Sequence, residues 1–465
     1  MTTASTMHDA AEQQVLSGGD RLMLALTRAT QGMGWGGFGH LLQIEFEGHV
    51  DRERVQRLCD RLQTVHPVVT ARLKERGKEA VWVFGESPQP LLEVISIASA
   101  EQIPQIAGEL LRRPFDFARD NPLSVHLLQS QAGHDVLLVR FDHALTGASS
   151  FGMLVDELNR LDLADAAEPP AWLANVDQLR PKPSPPLSWA ERRVLVRHGW
   201  SQRRLNRGTT DVRLASDVPR RRPPAVKDTP AVIIERQLSP EATATWKNSV
   251  GRQLGLPSAS LSLLASVFRS LWKHRATESY KRRPLLVTSL AFDRRARGGG
   301  GPIFENHVTA VRITATPEEL TNRQQLVDGM LRSVREQIKI GVDRSGMTFQ
   351  DRLPGGWLLK LLARRRAHQM RSFWYGYFGE LTTVDSLCGV RIRRLVPAIE
   401  PWPNKEVGLL GYEYRGELHV SCAYLPSLVE DARVVDFVND ILSDLPTGQP
   451  VAQSPGDPEW PLVSA

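Results

Sequence analysis

Apolar residues recur at two different spacings in the first third of the chain. Residues 41–46 (LLQIEF) are typical of a strand, and residues 51–65 carry apolar side chains at helical spacing, with Asp51 placed to cap the first turn. A β-rich apolar run at 80–84 predicts another strand, and residues 100–111 predict a helix. The pattern therefore indicates a mixed arrangement of strands and helices.

A second strand-to-helix step carries candidate chemistry. Residues 135–141 (DVLLVRF) predict a short, strongly apolar strand that ends at Asp142 and His143, and helical spacing resumes over residues 150–161. His143 is therefore expected on the connection between them. A lone histidine after an apolar strand is more often a packed or surface residue than a catalytic one, so its position alone does not define a site.

The amino-acid composition changes between residues 169 and 230. Prolines cluster at 181–186 (PKPSPP) and 220–224 (RRRPP), and arginine dominates the remainder. We interpret this stretch as a connection between two lobes. Within it, residues 188–206 predict a basic helix that carries Trp189, Val196 and Trp200. Such a helix suits an acidic protein partner or an anionic lipid surface, or it is a solvated linker.

The second half repeats the order of the first. Strands are predicted at 231–234, 285–290 and 308–313, a helix at 260–272, a hairpin at 407–414 and 417–424, and a closing helix at 429–442. This predicts an N-terminal lobe over residues 1–168, a connection over 169–230 and a C-terminal lobe over 231–465. The glycine-rich loop at 297–302 lacks the Lys-Ser/Thr of a phosphate-binding loop, so we predict no nucleotide site there.

Composition narrows the class of protein. A chain of 465 residues with 41% hydrophobic content can bury a large core, and the net charge of +6, from 58 basic and 52 acidic residues, does not call for nucleic acid. The three cysteines and the histidines show no metal-ligand spacing, so no metal site is predicted. Without a signal-like segment or a long apolar run, we expect a cytoplasmic protein with no integral membrane segment.

The order of these segments resembles the condensation-domain superfamily, which includes peptide-synthetase condensation enzymes, carrier-protein-dependent acyltransferases, wax ester synthases and chloramphenicol acetyltransferase. The similar pieces are residues 41–73, 112–125, the turn FDHALTGASS at 141–150, GPIFENHVTAV at 301–311 and a loop at 373–381. The resemblance implies an α/β (α+β) fold, a V-shaped pseudodimer of two chloramphenicol-acetyltransferase-like lobes. A central tunnel would lead to the histidine loop from both faces.

The family motif His-His-x-x-x-Asp-Gly is degenerate in this sequence. Asp142 stands at the first His position and His143 at the second, while Thr146-Gly147 matches Asp-Gly only if one residue is deleted. In the family, the motif Asp pairs with an arginine, and Thr70 occupies the matching position here. Because both partners are missing, we expect hydroxyls to fix the loop instead, with Thr146, Ser149 and Ser150 as candidates.

The resemblance also implies roles for individual residues. His143 is predicted to act as the general base or to orient the nucleophile, and the Gly147 N–H to stabilise the oxyanion. Asp142 is expected to anchor the loop. The family context places five residues as candidates for the tunnel wall, although each could equally be ordinary packing: Trp35, Ser289, Asn306, Trp374 and Tyr377. The glycine- and tryptophan-rich residues 32–39 suit either a substrate-entrance loop or an irregular connection.

Two functions follow as hypotheses. The first is a free-standing, monomeric acyltransferase that takes an acyl group from CoA or a phosphopantetheinyl carrier thioester and binds no other cofactor. It passes the group to a small-molecule alcohol or amine in secondary metabolite or lipid biosynthesis. An acyl or peptidyl carrier protein could dock on the basic surface around Arg192–Arg207. The second is a family member that has lost acyl transfer and serves as a binding platform or catalyses a different reaction.

Overall fold

The structure is a computed structural model that describes residues 13–76, 79–85, 89–131, 133–164, 187–214, 229–254, 258–276, 282–293, 295, 302–345, 363–364, 372–402 and 406–447. The helices are α1 (Gly18–Gln31), α2 (Arg52–Val65), α3 (Ile103–Arg112), α4 (Ser150–Leu163), α5 (Trp189–Gly208), α6 (Pro240–Leu254), α7 (Ser258–His274), α8 (Arg323–Lys339) and α9 (Asp431–Ser443). Short 3-10 helices cover Pro67–Thr70, Ala100–Gln102 and Pro317–Thr321.

Sixteen strands lie between these helices in the described residues. In chain order they are β1 (Gln13–Val15), β2 (Gly39–Phe46), β3 (Arg72–Arg76), β4 (Glu79–Val83), β5 (Leu92–Ile97), β6 (Leu123–Ser130), β7 (Val136–Asp142), β8 (Thr209–Asp211), β9 (Val232–Gln237), β10 (Arg283–Asp293), β11 (Val308–Ala315), β12 (Trp374–Glu380), β13 (Ser386–Leu387), β14 (Val390–Ile399), β15 (Val407–Tyr414) and β16 (Glu417–Tyr424). The prediction of a mixed α/β fold is confirmed.

The largest sheet has the order β13-β14-β2-β7-β6-β5, and it places β7 between β2 and β6. All its pairs are antiparallel except β5 with β6. A four-stranded sheet has the order β12-β15-β16-β9, and two three-stranded sheets have the orders β11-β10-β8 and β1-β4-β3. The strand that delivers His143 is therefore flanked by hydrogen-bonded neighbours on both sides.

The two halves of the chain exchange strands. β13 and β14 come late in the sequence but extend the sheet of the N-terminal half, where β14 pairs with β2. β8 follows α5 inside the predicted connection and pairs in parallel with β10. The lobe boundaries at 168 and 231 stay a prediction, but a division by sequence position alone does not describe this exchange of strands.

Most predicted elements form within a few residues of their expected bounds. Asp51 caps α2 by accepting a hydrogen bond from the Glu53 N–H (2.9 Å), and the hairpin of β15 and β16 has the predicted bounds. The prediction of a loop at residues 373–381 is wrong, because this segment contains β12, which pairs in parallel with β15. Its aromatic side chains favour an extended strand. The glycine-rich loop at 297–302 lies outside the described residues except for Pro302.

Two large apolar clusters form the core, one in each half of the fold. The first gathers the even-numbered side chains of β2 with α2 and α4, and the second surrounds α7 and α9. Gly152 allows α4 to approach the segment after β12, because a Cβ at this position would lie 1.8 Å from the carbonyl oxygen of Leu381. No helix in the described ranges is long and apolar enough to cross a membrane.

Candidate active site

His143 directly follows β7, whose seven residues are all buried. The antiparallel register pairs Asp142 with Gly39, so β7 ends at the edge of the sheet where β2 begins. The His143 N–H donates a hydrogen bond to the carbonyl of Phe38 (3.0 Å). The sheet thus fixes the backbone of the histidine before any side-chain contact is made.

The imidazole of His143 packs against two rings. The centroid of Phe38 lies 4.4 Å away, and the His40 ring meets it edge-on at 4.8 Å. Only 8% of His143 is exposed, and this burial lowers its pKa to about 4, which leaves the ring neutral at neutral pH. Its Nδ1 is buried and has no hydrogen-bond partner among the residues that the structure describes.

Asn306 and Gly147 complete the immediate surroundings of this ring. A Cβ at position 147 would lie 3.4 Å from His143 Cε1 and 3.3 Å from Asn306 Oδ1, so the Gly147 backbone lies against both side chains. Asn306 Nδ2 donates to the His143 carbonyl (2.6 Å) and to Asp20 Oδ1 (2.8 Å). Asn306 Oδ1, like His143 Nδ1, is buried without a partner in the described part of the chain.

Asp142 holds the start of the loop. Its carboxylate accepts hydrogen bonds from the Thr27 hydroxyl (3.1 Å) and from the Ala144 N–H (2.7 Å). The side chain is fully buried, and burial raises its pKa to about 7. The bond from Thr27 ties the start of the loop to α1, whereas the His143 side chain packs against Phe38 and His40.

The hydroxyl groups predicted to support the loop make hydrogen bonds inside the protein. The Thr146 hydroxyl donates to the carbonyl of Ile303 and lies 2.6 Å from Ser150 Oγ. Arg295, which sequence reasoning did not identify, donates to Ser149 Oγ (2.9 Å) and Ser150 Oγ (3.1 Å). An arginine from the second half of the chain therefore contacts the loop through hydroxyls, while its carboxylate partner, Asp293, lies outside the loop.

Replacing Arg295 with alanine is expected to lower the free energy of unfolding by about 2–4 kcal/mol, because it removes a buried guanidinium from two serine hydroxyls and from Asp293. Urea titration measures this change. As a control, Arg391→Ala removes an exposed arginine that lies 3.6 Å from Glu47 and should cost less than about 1 kcal/mol. Equal effects of the two substitutions would contradict a role for Arg295 in fixing the loop.

The raised pKa of Asp142 predicts a pH-dependent contribution to stability. Because the folded-state pKa of about 7 lies above the ordinary value of 3.8, the folded protein keeps a proton that the unfolded chain has lost between these values. This contribution falls as pH rises, by at most about 1.4 kcal/mol per pH unit. Asp142→Asn should therefore gain stability relative to wild type between about pH 5 and pH 8. Urea titrations at both pH values that gave parallel changes would contradict this.

The residues predicted for the tunnel wall separate into two groups. Asn306 contacts the histidine loop directly, and Trp374 stacks on Phe38 with ring centroids 5.2 Å apart, one ring away from His143. Tyr377 donates instead to Glu413 Oε1 (2.6 Å), and Ser289 lies in β10 opposite Arg312. For these two residues a wall position stays a prediction.

Trp35 does not lie beside His143. It is 2% exposed and packs in a cluster with Leu41, whereas His40, the preceding residue on β2, contacts His143. Successive strand residues face opposite sides of a sheet, so the cluster that holds Leu41 lies across β2 from His40, and a tunnel-wall position for Trp35 stays a prediction. The surrounding residues 32–39 form a fixed connection, in which the N–H groups of Gly36 and Gly39 donate to the Glu400 carboxylate (2.9 and 3.3 Å).

Sequence reasoning did not identify Phe38, His40, Asp20 or Arg295 as neighbours of the site. His40 stands two positions from Phe38 at the start of β2 and pairs with Phe141 across the sheet. Only the β2–β7 register could have placed it beside His143. The described residues contain no group of three or more His, Cys, Asp or Glu side chains arranged to hold a metal ion.

Comparison with known proteins supports the predicted resemblance. Residues 38–167 match the family model described as Condensation domain, a range that includes the histidine loop. A search of curated protein sequences gave no significant match.

Solved structures with the same fold cover nearly the whole chain at low sequence identity. TRI3 trichothecene 15-O-acetyltransferase from Fusarium sporotrichioides is 11% identical with a TM-score of 0.64, over 92% of this chain and 94% of that one. The EpoB cyclization-docking bidomain from Sorangium cellulosum is 13% identical with a TM-score of 0.63, over 95% and 85%. The condensation domain of the Monacolin K polyketide synthase MokA is 12% identical with a TM-score of 0.59, over 94% and 98%. These structures share the fold of this chain, and together with the family-model match over residues 38–167 they confirm the predicted resemblance to condensation domains.

Proposed function

We propose that this chain, which has the condensation-domain fold, is a free-standing acyltransferase that moves an acyl group from a CoA or phosphopantetheinyl carrier thioester to an alcohol or amine. One observation carries the proposal. His143 Nδ1 and Asn306 Oδ1 are both buried without a hydrogen-bond partner among the described residues, and Asn306 Nδ2 donates to the backbone carbonyl of His143. Buried polar atoms are normally satisfied, so this pair is suited to receive polar groups of a substrate.

The chemistry follows from these positions. The acceptor O–H or N–H attacks the thioester carbonyl, the neutral imidazole of His143 takes the proton, and the thiolate leaves and is protonated in turn. The carbonyl oxygen becomes negatively charged in the tetrahedral intermediate, and the Gly147 N–H is the donor proposed to stabilise it. Asp142, Thr146, Ser149 and Ser150 keep the loop in place. No metal ion or further cofactor is required for this sequence of steps.

A second candidate is a protein that binds ligands in the same place without acyl transfer, or that catalyses another reaction there. Asp142 at the first motif position favours it, because the family pair of histidines is broken. Solved structures with this fold include the EpoB cyclization-docking bidomain and an epimerization domain of tyrocidine synthetase B. The fold itself therefore does not decide the reaction.

An assay of the purified chain distinguishes the two candidates. Wild-type protein is incubated with a panel of acyl-CoA and acyl-phosphopantetheine thioesters and with mixed amine and alcohol acceptors, and the products are identified by mass spectrometry. The acyltransferase should give a new ester or amide together with an equal amount of free thiol. Release of thiol only at the rate of uncatalysed hydrolysis for every donor would favour the second candidate.

A further inference from the structure

Helix α5 exposes an unusual set of side chains. None of its twenty residues is buried, and it begins with a capping box between Ser188 and Glu191. Seven large apolar side chains are exposed in the described part of the chain, and four of them lie on α5: Trp189 (75%), Val194 (41%), Val196 (58%) and Trp200 (57%). Exposed indole side chains on one helix are uncommon on the surface of a soluble protein and indicate an interaction site.

Three of these side chains form a stripe along one face. Trp189, Val196 and Trp200 follow each other at spacings of seven and four residues, so at 100° per residue they fall within about 40° of the helix circumference. The stripe is about 16 Å long at 1.5 Å per residue. The stripe can therefore make apolar contact along a straight line and not only at a single point.

Arginines flank the stripe on both sides. The helix carries six of them, at positions 192, 193, 197, 203, 204 and 207, and all are exposed. The guanidinium of Arg192 lies 6.0 Å from the Trp189 ring and that of Arg203 lies 5.8 Å from the Trp200 ring. The helix has one acidic residue, Glu191, which is bound to Arg344 (2.8 Å). The exposed face thus presents cations and indoles without a carboxylate.

The opposite face of α5 is attached to the protein. Arg312 on β11 donates to Gln202 (3.1 Å), Glu191 pairs with Arg344, and β8, which follows the helix directly, pairs with β10. Leu195 and Leu205 on this side are half-buried. These contacts hold the helix with its tryptophans and arginines directed outward.

We propose that α5 docks this protein on the surface of a membrane that contains anionic phospholipid. Indole rings prefer the interface between headgroups and acyl chains, and arginine binds phosphate through its planar fork while its stem packs on apolar surface. A straight apolar stripe between two rows of cations fits a flat membrane surface. A helix that lies parallel to this surface can insert all the side chains of the stripe to the same depth in the bilayer. Each arginine near an anionic leaflet adds electrostatic attraction that falls off within a Debye length. This inference does not depend on the proposed acyl transfer.

Sedimentation of the full chain with lipid vesicles tests the proposal. Wild-type protein should sediment with vesicles of phosphatidylcholine and phosphatidylserine, but not with phosphatidylcholine alone, and salt should weaken the binding. The double substitution Trp189→Ser with Trp200→Ser, and the triple substitution Arg193→Gln, Arg197→Gln and Arg204→Gln, should each weaken binding at least tenfold. These side chains are exposed, so circular dichroism should show an unchanged fold.

A matched control removes the same charge elsewhere. The triple substitution Arg57→Gln, Arg283→Gln and Arg391→Gln neutralises three exposed arginines outside α5 and should leave vesicle binding unchanged. Failure of wild type to sediment, or equal loss in the control, would overturn the proposal. Binding of an acidic carrier protein through the same α5 residues, in a chain that ignores both kinds of vesicle, would also overturn it and identify a protein partner instead.

Discussion

His143→Ala is expected to lower kcat/KM for acyl transfer by about two to four orders of magnitude, which is the usual contribution of a positioned general base. The acceptor would then have no neutral imidazole to take its proton beside Gly147, whose backbone lies against the His143 ring. The measurement is a single-turnover comparison with wild type on the best donor and acceptor from the panel. Circular dichroism and urea titration show whether the variant is folded.

His49→Ala serves as the matched control for the loss of an imidazole. The His49 side chain is 60% exposed and lies 3.2 Å from Asp135, outside the candidate site, so its removal should leave turnover unchanged. If folded His143→Ala kept its activity within tenfold of wild type, His143 would not be the base. If wild type itself gave no product, the proposed reaction would fail before the role of His143 could be assigned.

The pH profile gives a second readout for the same residue. Burial lowers the pKa of His143 to about 4, so the ring stays neutral, and able to accept a proton, down to that range. The kcat/KM of wild type should therefore not fall between about pH 8 and pH 6. An acid limb near the ordinary histidine value of about 6.5 would contradict this assignment.

The location of His143 could be predicted because local patterns determine it. Six residues of β7, five of them apolar, lead to Asp142, and small residues before α4 leave room for a turn. Asn306 was predicted only through the family resemblance, since its own segment shows no periodicity that indicates a site. Its hydrogen bond to the His143 carbonyl depends on the packing of segments that are 163 positions apart.

The neighbours of the imidazole could not be predicted in the same way. His40 and Phe38 reach His143 only because β2 and β7 pair in one particular register. A shift of one residue would turn His40 to the opposite face of the sheet. Sequence spacing gives the period of a strand but not the register between two distant strands.

The same limit explains the errors in the fold. β14 joins the sheet of the first half although it lies more than 340 residues after its partner β2, and no local pattern encodes that pairing. β12 was predicted as a loop through the family resemblance, although its aromatic residues favour a strand. Burial against its neighbour β15 stabilises the extended conformation.

An arginine from the second half of the chain supports the histidine loop. Hydroxyls on the loop and an arginine from the segment after β10 form neutral-to-charged hydrogen bonds, which are stronger than bonds between neutral groups. The loop is therefore held by a contact between the two halves of the chain.

Asn306→Ala is expected to lower the free energy of unfolding by about 2–4 kcal/mol, because one amide joins three parts of the fold. Its Nδ2 binds the His143 carbonyl (2.6 Å) and the carboxylate of Asp20 in α1 (2.8 Å). Asp20 is 2% exposed, and burial raises its pKa, so losing a donor leaves a carboxylate that water cannot solvate. Urea titration at neutral pH measures the change.

Asn322→Ala is the matched control for this substitution. Asn322 caps α8 by accepting a hydrogen bond from the Gln325 N–H (3.1 Å) at an exposed site, so its loss should cost only about 1 kcal/mol. Adding Asp20→Ala to Asn306→Ala should cost less than the sum of the two single changes, since each removes the partner of the other. Strict additivity, or a cost no larger than that of Asn322→Ala, would show that the amide does not join α1 to the histidine loop. Coupling would instead mean that the position of His143 depends on a contact between the first helix and the second half of the chain.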